Sequence, residues 1–222
     1  MEYIAKYTGA YKSQRDNAKI YYLNGSNYVD QDGKVLFAAK DLDANEDKLF
    51  NRTNECFISS GSMFCDALYN AGITKTPVDE MAYKVAVIEN SKGNETRYHW
   101  SAHERFMDLL IKDKGYDFFI HKVKGNEDQI KDSILHDFPV LCSIYIQPWY
   151  PSGRGHLILI VGFRTDSEGN VTGYVCNDPF GDCLSQYKNT NGERVFYPIK
   201  EFKKMINSPD DKPRFMGRIR HK

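Results

Sequence analysis

The spacing of hydrophobic residues predicts three helices, all in the first two thirds of the chain. From Phe57 to Ala71, apolar and small residues recur at intervals of three and four, and Gly72 follows as a stop signal. A second helix is expected across residues 103–111, ending near Gly115. A third is expected from Asn126, as its N-terminal cap, to His136.

Short runs rich in β-branched and aromatic residues predict strands, most of them in the second half of the chain. An early hairpin is expected between residues 28 and 37, around the Asp32-Gly33 turn. Two later runs are joined by polar residues 167–170 and form a second hairpin. The later strands are expected at residues 116–121, 140–147, 156–163, 173–177, 194–197 and 214–219. Because helices come first and antiparallel strands follow, the pattern favours an α+β fold over a doubly wound sheet.

The length of the chain fits a single domain. At 222 residues it is long enough to bury a substantial core, so we expect one domain over residues 1–222. The polar cluster at residues 13–17 is placed on a loop. Residues 18–53, which include a polar loop at 40–47, are expected to form an insertion in this domain.

Charge and hydropathy exclude several classes of function. Thirty basic and thirty acidic residues cancel, and Lys and Arg form no long run, so no nucleic-acid partner is expected. No segment approaches the ~20 apolar residues needed to span a bilayer. The N-terminus lacks the apolar stretch of a signal peptide. We therefore expect synthesis in the cytoplasm without a signal peptide, no membrane span, and a monomer.

Neither a disulfide framework nor a metal site is indicated. The five cysteines are odd in number and lack CxxC spacing. His99 and His103 lie four residues apart but lack the Glu of an HExxH motif and a third ligand, so we interpret them as a surface pair. The segment from Asp30 to Gly33 lacks most ligands of a calcium loop and is interpreted as a turn. No metal or other cofactor is expected.

Three residues far apart in the chain supply a thiol, an imidazole and a carboxylate. Cys56 lies at or just before the first turn of the first helix, where the positive end of the helix dipole favours a thiolate. Considered without the other residues, Cys56 is more typical of a small buried hydrophobic residue than of a nucleophile. His156 opens the first strand of the later hairpin and Asp178 closes the second, so the two meet at one end of the sheet. These are the groups of a nucleophilic hydrolase.

Two neighbouring residues, Asn177 and Asp178, are candidate partners of His156. Asn177 and Asp178 point to opposite faces of a strand, so only one of them can contact the imidazole. We prefer Asp178, whose carboxylate orients an imidazole, and keep Asn177 as the alternative.

These motifs resemble papain-superfamily cysteine peptidases of the bacteriocin-leader-processing type. The resemblance is carried by Cys56 followed by Ser59, Ser60 and Met63, by Gly155-His156, and by Asn177-Asp178-Pro179-x-Gly181. It implies a papain-like α+β fold, in which an N-terminal helix carrying the nucleophile packs on a C-terminal antiparallel β-sheet. It also implies that Cys56, His156 and Asp178 are catalytic and that Gln14 donates to the oxyanion.

Two features depart from the family pattern. The Gln usually lies a short distance before the Cys, whereas Gln14 lies far upstream of Cys56, so residues 18–53 must loop out and return. Family members often have Thr or a small residue before the Cys, where this protein has Glu55. A carboxylate at that position works against a thiolate unless it points away. The backbone N–H of Cys56 is a second candidate donor to the oxyanion.

The resemblance implies hydrolysis of peptide-type amide bonds. Tyr187, Asn191-Gly192 and Val195-Phe196-Tyr197 resemble the closing strand of phage-encoded members, some of which are cell-wall lysins. We therefore favour a peptidoglycan peptidase released to the cell wall, with a polypeptide-cleaving protease as the alternative. A catalytically silent member that holds a peptide or protein in the same groove is a hypothesis from another class.

Overall fold

The computed structural model describes residues 1–15, 22–24, 27–29, 35–38, 55–96, 98–151, 153, 155–207 and 212–222. The helices in these ranges are α1 (Cys56–Asn70), α2 (Glu80–Glu89), α3 (Trp100–Leu110), α4 (Asp128–Leu135) and α5 (Ile199–Ile206). The strands are β1 (Glu2–Ile4), β2 (Tyr22–Asn24), β3 (Asn27–Val29), β4 (Val35–Ala38), β5 (Tyr116–Lys122), β6 (Val140–Tyr145), β7 (Gly155–Thr165), β8 (Val171–Asn177), β9 (Val195–Pro198) and β10 (Phe215–His221). No helix within the described ranges has both the length and the apolar composition required to cross a bilayer.

The main sheet is antiparallel and contains seven strands. Six of them are hydrogen-bonded in the order β5-β10-β6-β7-β8-β9, and β1 pairs with the distal part of β7. The hairpin expected from the sequence is formed by β7 and β8. The class is therefore α+β, as the order of helices and strands predicted.

A second antiparallel sheet consists of β2, β3 and β4. Its β3 and β4 are the strands of the predicted early hairpin. The turn between them and the polar loop at 40–47 lie outside the described residues, as does most of the expected insertion at 18–53. The single-domain organisation with an insertion stays a prediction.

Helix α1 packs along β7 and is buried on almost all sides. Ile58 and Met63 are fully buried and belong to one core cluster with Leu157 and Leu159 of β7. The hydroxyl of Ser60 donates to the carbonyl oxygen of Leu157 at 3.0 Å, which holds the first turn of α1 beside the start of β7. The helix that begins with Cys56 therefore packs on the antiparallel sheet, as predicted.

The other face of β7 is also covered. Ile158 and Ile160 lie in a second core cluster with Ile130 of α4 and Phe202 of α5. Successive side chains of a strand point to opposite faces, so a strand covered on both sides is apolar throughout. This accounts for the uninterrupted apolar run after His156.

Four elements, β1, β2, α2 and α5, were not predicted from the sequence. Helix α2 has an N-cap signal, because the side chain of Asp79 accepts a hydrogen bond from the Ala82 N–H at 2.7 Å. Helix α5 follows Pro198 and buries one apolar face that includes Phe202. The expected cap of α4 was displaced by one residue, since Glu127 rather than Asn126 precedes the helix.

Candidate active site

A cleft of about 850 Å³ adjoins the N-terminus of α1 and the starts of β7 and β10. Gln14, Cys56 and His156 all line it. Asp178 is fully buried and contacts His156 from behind. The structure therefore brings all four sequence-predicted site residues to one place.

The imidazole of His156 is held by a buried carboxylate. Its Nε2 lies 2.7 Å from Asp178 Oδ1, which also accepts a hydrogen bond from the Phe180 N–H at 2.9 Å. Asp178 Oδ2 accepts a hydrogen bond from the Tyr197 hydroxyl at 2.7 Å. These donors replace the water that a buried carboxylate lacks. Since Nε2 faces Asp178, Nδ1 is the ring nitrogen left for Cys56.

Asn177 is directed away from this contact. Its Oδ1 accepts a hydrogen bond from the Arg194 N–H at 3.0 Å. Side chains alternate along β8, so Asn177 and Asp178 face opposite sides of the sheet. Of the two candidates, the structure places Asp178 against His156.

The turn after β8 contains glycine where the backbone requires it. The Gly181 N–H donates to the Asp178 carbonyl at 3.1 Å, and Gly181 has a φ of +118°, which disfavours other residues. Gly192 packs so closely on the backbone of Asp178 that a Cβ there would collide with the carbonyl oxygen. The glycines of both sequence motifs thus help to fix the position of Asp178.

Cys56 is the first residue of α1 and differs from the other cysteines in its surroundings. It is half-buried, whereas the other four are buried, and all five are free thiols. Burial raises the pKa of the thiols of Cys65, Cys142, Cys176 and Cys183. Those four side chains therefore stay protonated, while Cys56 opens into the cleft and hydrogen-bonds with His156.

The surroundings of His156 favour its protonated form. Burial acts to lower the pKa of the imidazole, but the charges of Asp178 and Cys56 act in the opposite direction and raise it from 6.5 to about 10. An imidazolium next to a thiol stabilises the thiolate. The positive end of α1 has the same effect. The arrangement therefore holds a protonated imidazole beside the thiol of Cys56.

Contacts with the turn after β8 hold Gln14 at the cleft. Its backbone N–H donates to the Pro179 carbonyl at 2.9 Å. The next residue, Arg15, donates to the Phe180 carbonyl at 2.8 Å, and its guanidinium lies 3.9 Å from the centre of the Phe180 ring. These contacts bring Gln14 to the cleft beside Cys56 despite their separation in sequence.

Glu55, the unexpected residue before Cys56, forms an ion pair. Its carboxylate is fully buried and lies 3.3 Å from the ammonium of Lys84 in α2, which is also buried. A nearby cation offsets the charge of a buried carboxylate. The departure from the family pattern thus places an ion pair, directed towards α2, next to Cys56 in the sequence.

The interpretation of His99 and His103 as a surface pair was wrong for His103. Its ring is fully buried, stacks on Phe57 with centroids 3.8 Å apart, and has Nδ1 2.8 Å from the Tyr83 hydroxyl. His99 is exposed and accepts a hydrogen bond from the Thr96 N–H at 2.9 Å. Over the described part of the protein, no three His, Cys, Asp or Glu side chains are grouped to hold a metal ion.

Two tyrosines at the site were not singled out as site residues from the sequence. Tyr197 of β9 pairs with Tyr174 of β8, so the two-residue alternation on these strands puts it on the face of Asp178. Tyr187 contacts the His156 ring edge-on, with centroids 6.0 Å apart. Tyr187 has a φ of +59°, a left-handed conformation that no local sequence signal predicts.

Comparisons with known proteins give one family and two matching solved structures. The model of the Peptidase_C39 like family matches residues 7–205, a range that contains all four site residues. A Bacillus anthracis protein assigned as a C39-like peptidase matches with 14% identity and a TM-score of 0.45, over 77% of this chain and 91% of that chain. UfSP from C. elegans matches with 13% identity and a TM-score of 0.46, over 74% of this chain and 29% of that chain. No curated protein sequence matches. The chain belongs to the Peptidase_C39 like family and is a cysteine peptidase.

Proposed function

We propose that the protein hydrolyses peptide-type amide bonds with Cys56, His156 and Asp178, and that its substrate is peptidoglycan. One observation carries the catalytic part of the proposal. A half-buried thiol at a helix N-terminus contacts an imidazole whose other nitrogen lies 2.7 Å from a buried carboxylate.

The first step forms an acyl-enzyme. The thiolate of Cys56 attacks the carbonyl carbon, and the carbonyl oxygen takes up the negative charge. The amide of Gln14 and the backbone N–H of Cys56 donate hydrogen bonds to this oxyanion. The imidazolium of His156 gives its Nδ1 proton to the amine as the C–N bond breaks.

The second step hydrolyses the thioester. His156, now neutral, takes a proton from a water molecule, whose oxygen attacks the thioester carbon. The C–S bond then breaks, the acid product leaves, and the thiolate–imidazolium pair is restored. Asp178 keeps the proton on Nε2 throughout, so that Nδ1 is the nitrogen that exchanges protons at Cys56.

We propose peptidoglycan as the substrate because residues 187–197 resemble the closing strand of phage-encoded members, some of which are cell-wall lysins. In this role the protein is released from the cytoplasm to the cell wall. We also propose a monomer as the active form.

The test compares clearing of purified sacculi with digestion of casein by the wild type, Cys56→Ala and Cys65→Ala. We expect the wild type and the buried-thiol control Cys65→Ala to clear sacculi, and Cys56→Ala to lose both clearing and rapid labelling by iodoacetamide. If the wild type digested casein but did not clear sacculi, its substrate would be polypeptide and not peptidoglycan. Turnover retained by Cys56→Ala would remove the catalytic assignment, and no turnover by the wild type would favour the catalytically silent alternative.

A further inference from the structure

Residues 11–15 connect the turn after β8 with helix α1, and we call this segment the clasp. Three successive carbonyl oxygens of the turn, at residues 178–180, each accept a hydrogen bond from the clasp. The donors, in the same order, are the Tyr11 hydroxyl at 2.9 Å, the Gln14 N–H at 2.9 Å and Arg15 Nε at 2.8 Å. The clasp therefore runs along the turn and contacts it residue by residue.

The opposite side of the clasp is anchored to α1. The ammonium of Lys12 donates to the Ser62 hydroxyl at 2.6 Å and lies 2.7 Å from the Asp66 carboxylate. The two charged side chains are mostly buried, so solvent and salt screen this ion pair less than an exposed one. The Lys12 N–H also donates to Met63 Sδ at 3.3 Å. The clasp thus joins the helix side of the cleft to the sheet side.

The turn is also held by contacts that do not involve the clasp. The Asp178 N–H donates to the Gly192 carbonyl at 2.8 Å, and the Gly181 N–H donates to the Asp178 carbonyl at 3.1 Å. The Tyr197 hydroxyl donates to the Asp178 carboxylate at 2.7 Å. Because these bonds fix the turn from the sheet side, the clasp takes its position from the turn, and loss of a clasp contact displaces the clasp first.

Arg15 holds the end of the clasp that lies next to Gln14. Among the three donors named above, its guanidinium is the charged one, and charge-assisted hydrogen bonds are roughly twice as strong as neutral ones. The guanidinium also lies 3.9 Å from the centre of the Phe180 ring, close enough for a cation–π contact. The Phe180 ring in turn packs on Tyr187, with centroids 4.7 Å apart. Arg15 therefore binds a residue that is itself fixed by packing.

We propose that Arg15 and Lys12 are positioning residues, which hold the amide of Gln14 at the place where the oxyanion forms. The inference rests on the proposed function, in which Gln14 donates to that oxygen. An oxyanion donor is effective when it is held in place before the reaction, and a displacement of about 1 Å can cost about 10²-fold in rate. Lys12 fixes the clasp relative to α1, which begins with Cys56, and Arg15 fixes it relative to the turn.

The main test measures kcat and KM of Arg15→Met, which keeps an unbranched side chain but removes the donor and the charge. We expect kcat on a peptide substrate to fall about tenfold, as for loss of a charged hydrogen bond. KM should stay unchanged, because the bond from Gln14 forms in the transition state. Arg15→Lys should recover part of the loss, since it keeps a cation over Phe180. Arg164→Met is the matched control, because Arg164 lies 4.3 Å from the Phe196 ring at the end of β7 opposite His156, and it should keep the wild-type kcat.

A double-mutant cycle distinguishes positioning of Gln14 from a general structural role. In Gln14→Ala, the further change Arg15→Met should lower kcat by less than about twofold, because the group that it positions is already missing. Alkylation of Cys56 by iodoacetamide forms no oxyanion, so its rate in Arg15→Met should equal that of the wild type. Melting temperatures check folding, and Lys12→Met, which should also lower kcat at constant KM, replaces Arg15→Met if that variant does not fold. Effects that multiply in full, slower alkylation, or a wild-type kcat in the clasp variant would overturn the proposal.

Hydrogen exchange measured by NMR separates this inference from the proposed function, because it requires no substrate. The Gln14 N–H, which is bonded to the Pro179 carbonyl, should exchange about tenfold faster in Arg15→Met than in the wild type. The Asp178 N–H, which is bonded to Gly192, should exchange at the same rate in both proteins. This result without turnover by the wild type would contradict the hydrolase and keep the positioning role. Turnover with equal exchange and equal kcat in both proteins would contradict the positioning role and keep the hydrolase.

Discussion

The two sides of the cleft hold the proposed catalytic groups by different means. On the sheet side, hydrogen bonds to the buried carboxylate of Asp178 orient His156. On the helix side, Cys56 takes its place from the packing of α1 and from the bond between Ser60 and Leu157. Losing a hydrogen bond on the sheet side should therefore cost activity, whereas disturbing the packing on the helix side should cost stability.

The largest effect is expected from Asp178→Asn on the sheet side. The amide no longer holds the proton on Nε2, so kcat should fall by about 10³–10⁴, the range seen when a catalytic histidine loses its carboxylate. Steady-state kinetics on a peptide substrate measure the change in kcat. Asp182→Asn is the control, because Asp182 caps the short 3₁₀ turn at Cys183–Ser185 instead of contacting His156. A loss of similar size in Asp182→Asn would show that the turn, and not the contact with His156, matters.

The pH dependence of stability tests the same contact. The pKa of His156 is raised from 6.5 in the unfolded state to about 10 in the folded protein. Its protonation therefore stabilises the fold fully below 6.5, and this contribution is lost as the pH rises through about 10. The free energy of unfolding should decrease over this window in the wild type and less in Asp178→Asn, as measured by urea unfolding. Parallel pH curves for the two proteins would contradict the assignment.

Gln14→Glu should have the next largest effect. It keeps the size of the side group but removes the amide donor and adds a negative charge beside the oxyanion, so kcat should fall by about 10²–10³. KM should change little, because the interaction forms in the transition state. Ser13→Ala, on the same segment, is the control. Equal losses in the two variants would indicate that the segment as a whole was displaced.

Tyr197→Phe is expected to have a smaller effect. It removes the hydroxyl that donates to Asp178 Oδ2 at 2.7 Å, and loss of a hydrogen bond to a charged group should lower kcat about tenfold. Tyr174→Phe is a matched control, because Tyr174 lies directly opposite Tyr197 across β8 and β9. Kinetics that do not distinguish the two variants would exclude an orienting role for the Tyr197 hydroxyl.

The sequence predicted the sheet side of the site better than the helix side. His156 lies at the start of the first strand of a hairpin and Asp178 directly follows the end of the second. Local strand and turn signals were therefore enough to predict that the two residues meet. The contact of Gln14 with Pro179 depends on tertiary packing between segments that lie far apart in the sequence, which no local pattern encodes. Glu55 was recognised as unusual, but its partner Lys84 lies in α2, a helix that was not predicted.

The fold class followed from local patterns for a related reason. The later strands and α1 have clear apolar patterns, because each is covered by a core cluster on one or both sides. Helix α5 is short, and its apolar face covers β8 and β6, so its pattern is informative only when the sheet is known. Local signals thus predict the elements, and packing decides which of them meet at the cleft.

Glu55→Gln should have the smallest effect on activity and the clearest effect on stability. It leaves the ammonium of Lys84 buried without the carboxylate now 3.3 Å away, which should lower the free energy of unfolding by about 3–5 kcal/mol. Glu201→Gln, in the exposed pair with Lys204, should lower it by no more than about 1 kcal/mol. Urea unfolding measures both, and adding Lys84→Met to Glu55→Gln should recover part of the loss. If Glu55→Gln instead accelerates alkylation of Cys56 and leaves unfolding unchanged, the carboxylate acts on the Cys56 thiol, and the helix side is governed by electrostatics as the sheet side is.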